Sequence, residues 1–478
     1  MPTASKKVIN GWAMYDWANS VYNLVITTTF FPIYFTKKTH EQFGSDLVPF
    51  LGHTFINSAL YDYSLAAAYL IISILYPILT SIADTRGNKK SFMQFFCYLG
   101  ATGCSMLYFF NGSNVWLGVL FFMLASMGYN GSLVFYNAYL PEIAMPEDQD
   151  RVSAKGYAYG YIGSVLMQVV GFVLVLLMKD GFLSLRLNFL FVGLWWAVFA
   201  QFTFRVLPKP RPATEQQTNV LTAGFSEIRK VFREIKEKPV LKRFLRGFFF
   251  YSMGVQTVML ASTLFGSKVL HLDEIKLIVT VVLIQLVAIA GAILMSRLSV
   301  RYGNIRVLMG VLVFWVLICV SAYRTADRAE QLNPYYKQIE AAEKQRNMAA
   351  NAHSEALEGR IDAEISHLRL EMAPEQTPVE YAFYGLALAV GLVMGGIQSL
   401  SRSTYSKLMP ETNDTASYFS YYDLTEKLAI VVGMFSFGFI EGVTGSMKNS
   451  LIFLVIFFVT GFVWLWSARK KQRQMNYL

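Results

Sequence analysis

Residues 11–35 read GWAMYDWANSVYNLVITTTFFPIYF. At 1.5 Å per helical residue this stretch is long and apolar enough to cross a hydrocarbon core of about 30 Å. Asp16, Asn19, Ser20 and Asn23 stand at i, i+3, i+4 and i+7, which puts all four on one helical face. A charge at bilayer depth costs roughly 2.5–3.5 kcal/mol on insertion scales, and unpaired amides in hydrocarbon add to that. The stripe therefore belongs against other helices or water, as one wall of a polar path through a helical bundle.

Composition supplies the bundle. Of 478 residues 54% are hydrophobic and only 15% charged, with a mean hydropathy of +0.38. Soluble domains carry about 25% charged residues, so a soluble fold is excluded, and the ten-residue alternating segments of a membrane β-barrel are absent. Apolar runs at 11–35, 61–82, 91–110, 115–140, 156–178 and 187–207 are followed by runs at 244–266, 275–296, 305–323, 381–400, 417–440 and 450–467. The expectation is an all-α integral membrane protein with twelve transmembrane helices in two pseudo-symmetric six-helix bundles, residues 1–207 and 244–478. Cys97, Cys104 and Cys319 lie inside apolar runs without metal-ligand or redox spacing and read as small core residues.

The net charge of +10 is carried by short loops. Lys6, Lys7, Arg86, Lys89, Lys90, Arg151, Lys155, Arg297, Arg301, Arg306, Arg402, Lys407 and the tail ARKKQR fall on one side of the alternating spans. The positive-inside rule assigns that side to the cytoplasm, with both termini there, in the cell (inner or plasma) membrane. This accounts for the basic residues without a nucleic-acid partner. No cleavable-signal layout precedes the first span, and a monomer in the lipid bilayer is expected.

Two hydrophilic segments interrupt the pattern. Residues 208–243 hold nine Lys/Arg against four Glu, and Phe225, Ile228, Phe232 and Ile235 recur at helical spacing. They predict a basic amphipathic linker helix lying on the anionic cytoplasmic leaflet. Residues 324–380, on the outer side, hold seven Lys/Arg against eleven Asp/Glu. The stripe Leu357, Ile361, Ile365 and Leu368 predicts a projecting helical hairpin broken near Gly359. His353 and His367, fourteen apart, read as solvated helix residues; neither a metal site nor a cofactor is implied.

The loop Ser81-Ile82-Ala83-Asp84-Thr85-Arg86-Gly87-Asn88-Lys89-Lys90 has a turn glycine, anchoring cations and an acid placed to cap a helix or meet an arginine. It resembles the signature loop of the major facilitator superfamily, with Ser81 and Thr85 as departures. In the second half, residues 298–306 align Gly303 with Gly87 and Asn304 with Asn88 but carry Val300 in place of Asp84. Phe135-Tyr136-Asn137-Ala138-Tyr139-Leu140-Pro141-Glu142 is echoed by Thr404-Tyr405-Ser406-Lys407-Leu408-Met409-Pro410-Glu411, sharing the Tyr and the Pro-Glu. With residues 12–20, 151–158 and 395–403, these segments resemble the vacuole-effluxer, or unknown-major-facilitator, branch. The 324–380 insert is outside the recognised core. The resemblance implies a transporter working by alternating access, with the acid of the signature loop latching the halves when the cytoplasmic side is closed. Some eukaryotic members are implicated in releasing amino acids from vacuoles.

Within the spans, Asn19, Asn23, Tyr129, Asn130, Gln168, Gln256, Gln285 and Gln398 outline a path suited to a small polar or zwitterionic solute, with Tyr22 flanking the stripe. Coupling or gating candidates are Asp16, Asp84, Arg86, Glu142, Arg246, Arg402, Asp423, Glu426 and Lys427. Asp16 sits about 12 Å into its helix and Arg246 opens the seventh span as Asp16 opens the first, so a contact between them is expected. Asp423 and Lys427 form an i, i+4 acid–base pair. Proton coupling through Asp16 is a further expectation. No Gly-x-x-x-x-Gly-Lys-Ser/Thr loop is present, and none of the five His lies in a span, so enzyme chemistry is not expected. The alternatives are a non-transporting receptor or scaffold, and an exporter of a larger amphiphilic compound.

Overall fold

A computed structural model describes residues 2–178, 181–208, 220–272, 274–351 and 354–476. The first half contains α1 (Lys6–Val21), α2 (Phe31–Phe43), α3 (Asn57–Thr85), α4 (Lys89–Met106), α5 (Val115–Ala138), the short α6 (Leu140–Ile143), α7 (Gln149–Leu177) and α8 (Gly181–Val206). After the linker helix α9 (Val220–Glu237) come α10 (Pro239–Lys268), α11 (Glu274–Tyr302), α12 (Asn304–Glu330), α13 (Asn333–Asn351), α14 (Glu355–Leu408), α15 (Thr415–Thr444) and α16 (Met447–Asn476). Among the described residues nine helices are long and apolar enough to span a membrane. With α1–α2, α4 and α10 they fit twelve passes. Strands β1 (Leu47–Phe50) and β2 (His53–Ile56) form a small hairpin after α2, turning at Leu51 and Gly52 with positive φ at both.

The halves meet through few helices. In the N-half α1 packs on α7 and α8; in the C-half α10 packs on α15 and α16. Between halves, α7 lies against α11 and α14, while α3 and α5 lie against α15. Gly87 and Gly303 both take positive φ, at 63° and 84°, backbone that glycine adopts without the Cβ clash other residues would meet.

Three expectations are corrected. The first span is not one regular helix: Tyr22–Phe30 is π-helical, with the Thr28 and Thr29 hydroxyls donating to the carbonyls of Asn23 and Leu24. The wider turn shifts the facing of everything beyond Val21, so the stripe holds through Ser20 and loses its register at Asn23. In the insert α13 ends at Asn351 and α14 begins at Glu355, so the break between the helices precedes Gly359. Gly359 sits inside α14 in open space, where its cost of about 1 kcal/mol is outweighed by burial of Ile361 and Ile365 opposite Ile339 and Ala342. Ion pairs Arg346–Asp362 (2.7 Å) and Arg369–Glu343 (3.2 Å) tie α13 to α14, and Leu357 is exposed. His353 lies outside the described residues, as do Lys179, residues 209–219 of the linker and the side chains of Phe225 and Ile228. Finally, α9 does not lie free of the bundle: its described part docks on it. Val231 and Ile235 are buried, α9 packs on α3, α10 and α15, and Lys230 reaches Asp414 at 2.7 Å. Phe232, Arg229, Arg233 and Lys236 are left on its exposed face.

Helices α11 and α14 approach so closely that a Cβ on Gly395 would stand 2.0 Å from the Ala288 carbonyl oxygen. Small-residue seams of this kind replace the missing hydrophobic driving force between helices in lipid. Gly395→Val is expected to force the two helices apart, abolishing the monodisperse peak in size-exclusion chromatography, whereas Gly359→Ala should raise the unfolding temperature. A folded Gly395→Val protein with an unchanged midpoint would contradict the close seam.

Candidate functional site

The site is built around Arg402, on α14 of the C-half, whose side chain is 2% exposed and lies among groups of the N-half. Its Nε donates to Ser153 Oγ (2.9 Å) and one Nη2 proton to the Ser153 carbonyl (2.9 Å). Nη1 faces Asn137 Oδ1 at 3.3 Å and Asp16 Oδ2 at 3.4 Å. Three rings surround the guanidinium, Tyr157 at 4.3 Å, Trp12 at 5.0 Å and Tyr136 at 5.4 Å. Arginine suits this place because its planar fork satisfies several acceptors and still stacks on aromatic faces.

The cage is itself fixed by hydrogen bonds. The Trp12 indole N–H donates to the Tyr136 carbonyl at 3.0 Å, the two rings stack at 4.4 Å, and the Tyr136 hydroxyl donates to Asp16 Oδ2 at 2.7 Å. Ser153 also donates to the Ser399 carbonyl across the interface at 2.8 Å. Gly156 makes the space: a Cβ there would lie 2.5 Å from Asp16 Oδ2 and 2.9 Å from Arg402 Nη2. Asn137 continues the network, its Nδ2 standing 3.5 Å from Asp423 Oδ1, and the other oxygen of Asp423 is buried without a hydrogen-bond partner.

Two further clamps lie nearer the end that carries the basic loops. The Asp84 carboxylate accepts the backbone N–H groups of Ala416 (3.3 Å) and Ser417 (2.7 Å), capping the first turn of α15 in the opposite half. Lys89 joins it, 3.2 Å from Asp84, in contact with Glu142 and donating to Thr415 Oγ1 at 2.6 Å. On the other side Asp150, in the first turn of α7, accepts from Ser299 Oγ (2.6 Å), Asn304 Nδ2 (2.6 Å) and Lys407 Nζ (2.7 Å). Nearby, the Thr3 hydroxyl and Arg151 hold the Asp148 carboxyl below its usual value, and Thr3 thereby fastens the N-terminal segment to the start of α7.

The remaining predicted residues divide by location. Gln398 accepts from the Tyr161 hydroxyl (2.6 Å) across the interface; Gln256 donates to Glu426 at 2.9 Å. Asn19 is buried with its Nδ2 unpartnered, and Asn23 is half-buried in the π-helical segment. Tyr22, Asn130 and Gln168 are instead packed inside the N-half: Tyr22 lies 5.1 Å from the Tyr129 ring, Asn130 donates to the Ser126 carbonyl, and Gln168 pairs with Thr29. Arg86 is exposed.

Two expected contacts are not formed. Arg246 is exposed and stacks on Trp464 at 4.7 Å; α10 backs onto α16 there, so the cation facing Asp16 is Arg402. Lys427 places its Nζ over the Tyr69 ring at 4.9 Å, across the interface, rather than on Asp423. Sequence reading missed Asp150, Asn137, Ser153 and the cage role of Tyr157. The signal for Asp150 was its place in the first turn of a helix, hidden among the neighbouring acids Glu147 and Asp148. Among the described residues no three His, Cys, Asp or Glu side chains converge as a metal site.

Comparison with known proteins agrees with this architecture. The family described as "Vacuole effluxer Atg22 like" matches residues 4–324 and 369–476, leaving out most of the hairpin insert. The chain is 27% identical over 461 residues to an uncharacterised MFS-type transporter, YxiO of Bacillus subtilis, covering 95% of this chain and 93% of that one. It is 23% identical to autophagy-related protein 22-1 of Phaeosphaeria nodorum, covering 97% and 90%. Among solved structures, a bacterial homologue of the iron transporter ferroportin in an outward-facing state superposes with a TM-score of 0.63 at 13% identity, covering 96% and 98%. The proton:xylose symporter XylE gives 0.63 at 11% identity, covering 96% and 95%. A chain matched by the family over most of its length, with this fold, is not an enzyme but a multi-pass membrane transporter: it belongs to the Atg22-like vacuole effluxer family of the major facilitator superfamily.

Proposed function

We propose that the protein moves a small polar solute, amino-acid-like by preference, by alternating access, with protons coupled through Asp16. The observation that carries this reading is the buried Arg402 of one half held by Asp16, Asn137 and Ser153 of the other. The polar contacts between halves gather at the basic end, so the structure corresponds to a conformer shut there. Opening that end requires Arg402, Asp84 and Asp150 to leave their partners together. Basic-end loops facing the cytoplasm would make this the outward-facing conformer of a protein in the cell membrane.

Opposite charges set along the interface support a zwitterionic solute. The unpartnered oxygen of Asp423 and the carboxylate of Glu426 offer acceptors to an ammonium, while Lys427 and Arg402 offer cations to a carboxylate. The unpartnered amide of Asn19 adds a donor. A buried polar group without a partner is costly, and a bound solute or water relieves it. The Asp16 carboxylate is shared by Tyr136 and Arg402, which supports this reading, since its protonation would loosen both contacts at once.

Arg402→Ala leaves the Asp16 charge buried and uncompensated, a loss of about 3–5 kcal/mol at the interface. Transport should fall to background, and a cysteine replacing the fully buried Ala416 should become labelled from the basic end, where it is protected in the parent. Arg402→Lys keeps the charge without the fork and should show intermediate labelling. Unchanged protection of the cysteine in Arg402→Ala would reject the clamp.

In proteoliposomes, labelled amino acid counterflow should depend on pH in the parent and lose that dependence in Asp16→Asn. Retained proton dependence would remove Asp16 from the coupling role while leaving alternating access standing. In a thermal-shift screen the transported solute, at a hundred times its dissociation constant, should stabilise the protein by about 2.7 kcal/mol. Stabilisation by simple sugars and none by amino acids would overturn the substrate class.

A further inference from the structure

Five cations of the C-half surround one cavity at the basic end. Arg301, Arg306, Lys407, Arg469 and Arg473 line a space of about 460 Å³ together with Thr404, and among the described residues no carboxylate contributes to its wall. Lys407 alone among the five is ion-paired, to Asp150; the four arginines make no ion pair among the described residues. Two polar groups of the wall are buried without hydrogen-bond partners, the hydroxyl of Thr404, a residue 2% exposed, and Nε of Arg469. Clustered like charges and unsatisfied donors of this kind are the signature of a missing anion.

A second cavity, about 410 Å³, shares Tyr302 and Arg306 with the first and continues along α11 and α12. Its wall is otherwise apolar, formed by residues such as Leu298, Val307, Gly310, Phe314 and Val393. Gly310 leaves a notch, since a Cβ there would meet nothing within 4 Å, and Phe314 is half exposed. A free phosphate would need only the first cavity. A phosphate with a hydrocarbon chain attached fits the continuous pair, polar where the bundle meets water and apolar where it meets the bilayer.

We propose that the C-half holds a site for one anionic phospholipid, its phosphate seated among Arg301, Arg306, Lys407, Arg469 and Arg473 and one acyl chain laid along the groove past Gly310. Asn304 and Lys407, both in the wall, also hold Asp150 of the N-half, which places the site directly beside one of the clamps.

The test is native mass spectrometry of the full chain with dioleoylphosphatidylglycerol, dioleoylphosphatidylcholine or inorganic phosphate. The parent should retain phosphatidylglycerol in preference to phosphatidylcholine. Arg306→Gln and Arg473→Gln should each weaken retention about fivefold, the factor equivalent to about 1 kcal/mol per cation at an anionic surface. Lys6→Gln/Lys7→Gln, on the exposed start of α1, should change nothing. Gly310→Leu, which the fold accommodates, should weaken phosphatidylglycerol retention by filling the groove. Equal retention of the two lipids, or retention unaffected by Arg306→Gln, Arg473→Gln and Gly310→Leu, would overturn the proposal. Displacement of phosphatidylglycerol by millimolar inorganic phosphate together with indifference to Gly310→Leu would assign the cavity to free phosphate instead. Should the arginine variants fail to fold, the Gly310→Leu comparison decides alone.

Discussion

A guanidinium buried out of reach of water governs this molecule. Arg402 is surrounded by one formal anion, Asp16 at 3.4 Å, and otherwise by neutral dipoles and aromatic faces. Such an arrangement adds little net stability, because desolvating both charges offsets most of their attraction. Its worth lies in conditionality. While the halves are closed, every acceptor belongs to the N-half; once they part, water replaces all of them together. The interaction is therefore nearly neutral to open as a whole and expensive to break in part, which is the behaviour required of a two-state gate.

The flanking clamps show how a duplicated sequence can perform one task with exchanged parts. In the first copy the acid, Asp84, sits on the loop and the backbone donors sit at the start of α15. In the second the acid, Asp150, sits at the start of α7 and the donors Ser299 and Asn304 sit on or beside the loop. The direction of the hydrogen bonds is reversed, but each loop is still tied to the helix start it faces. Val300, where the first copy carries an acid, leaves no gap in these contacts, since Asp150 on the facing helix supplies the charge.

Much of this was legible in the chain. Apolar runs and basic loops located the spans, and the loop motifs pointed to the superfamily. The stripe of the first span marked Asp16 and Asn19 as facing away from lipid, and both are buried within the protein. What escaped was pairing. Asp16 and Arg402 are 386 positions apart, and pseudo-symmetry pointed to Arg246 because it maps residues onto equivalent depths without saying which helices touch. Local irregularity escaped too: the hydroxyls of Thr28 and Thr29 bond back five residues within the π-helical Tyr22–Phe30, and no periodicity argument anticipates that change of register. Asp150 was hidden by the ordinary company of other acids in a polar loop.

The length of α14 has a mechanical meaning. One helix runs from Glu355 in the hairpin to Leu408 at the basic end and carries Gln398 and Arg402 on the way. From Glu355 to Arg402 is about 70 Å at 1.5 Å per residue. A tilt of one degree pivoting at Arg402 would carry the hairpin's far end through about 1.2 Å, over that lever arm. The segment that the family model leaves unmatched is thus the far arm of a lever continuous with the helix that carries Arg402, so a small change of angle at the buried arginine becomes a large displacement at the hairpin.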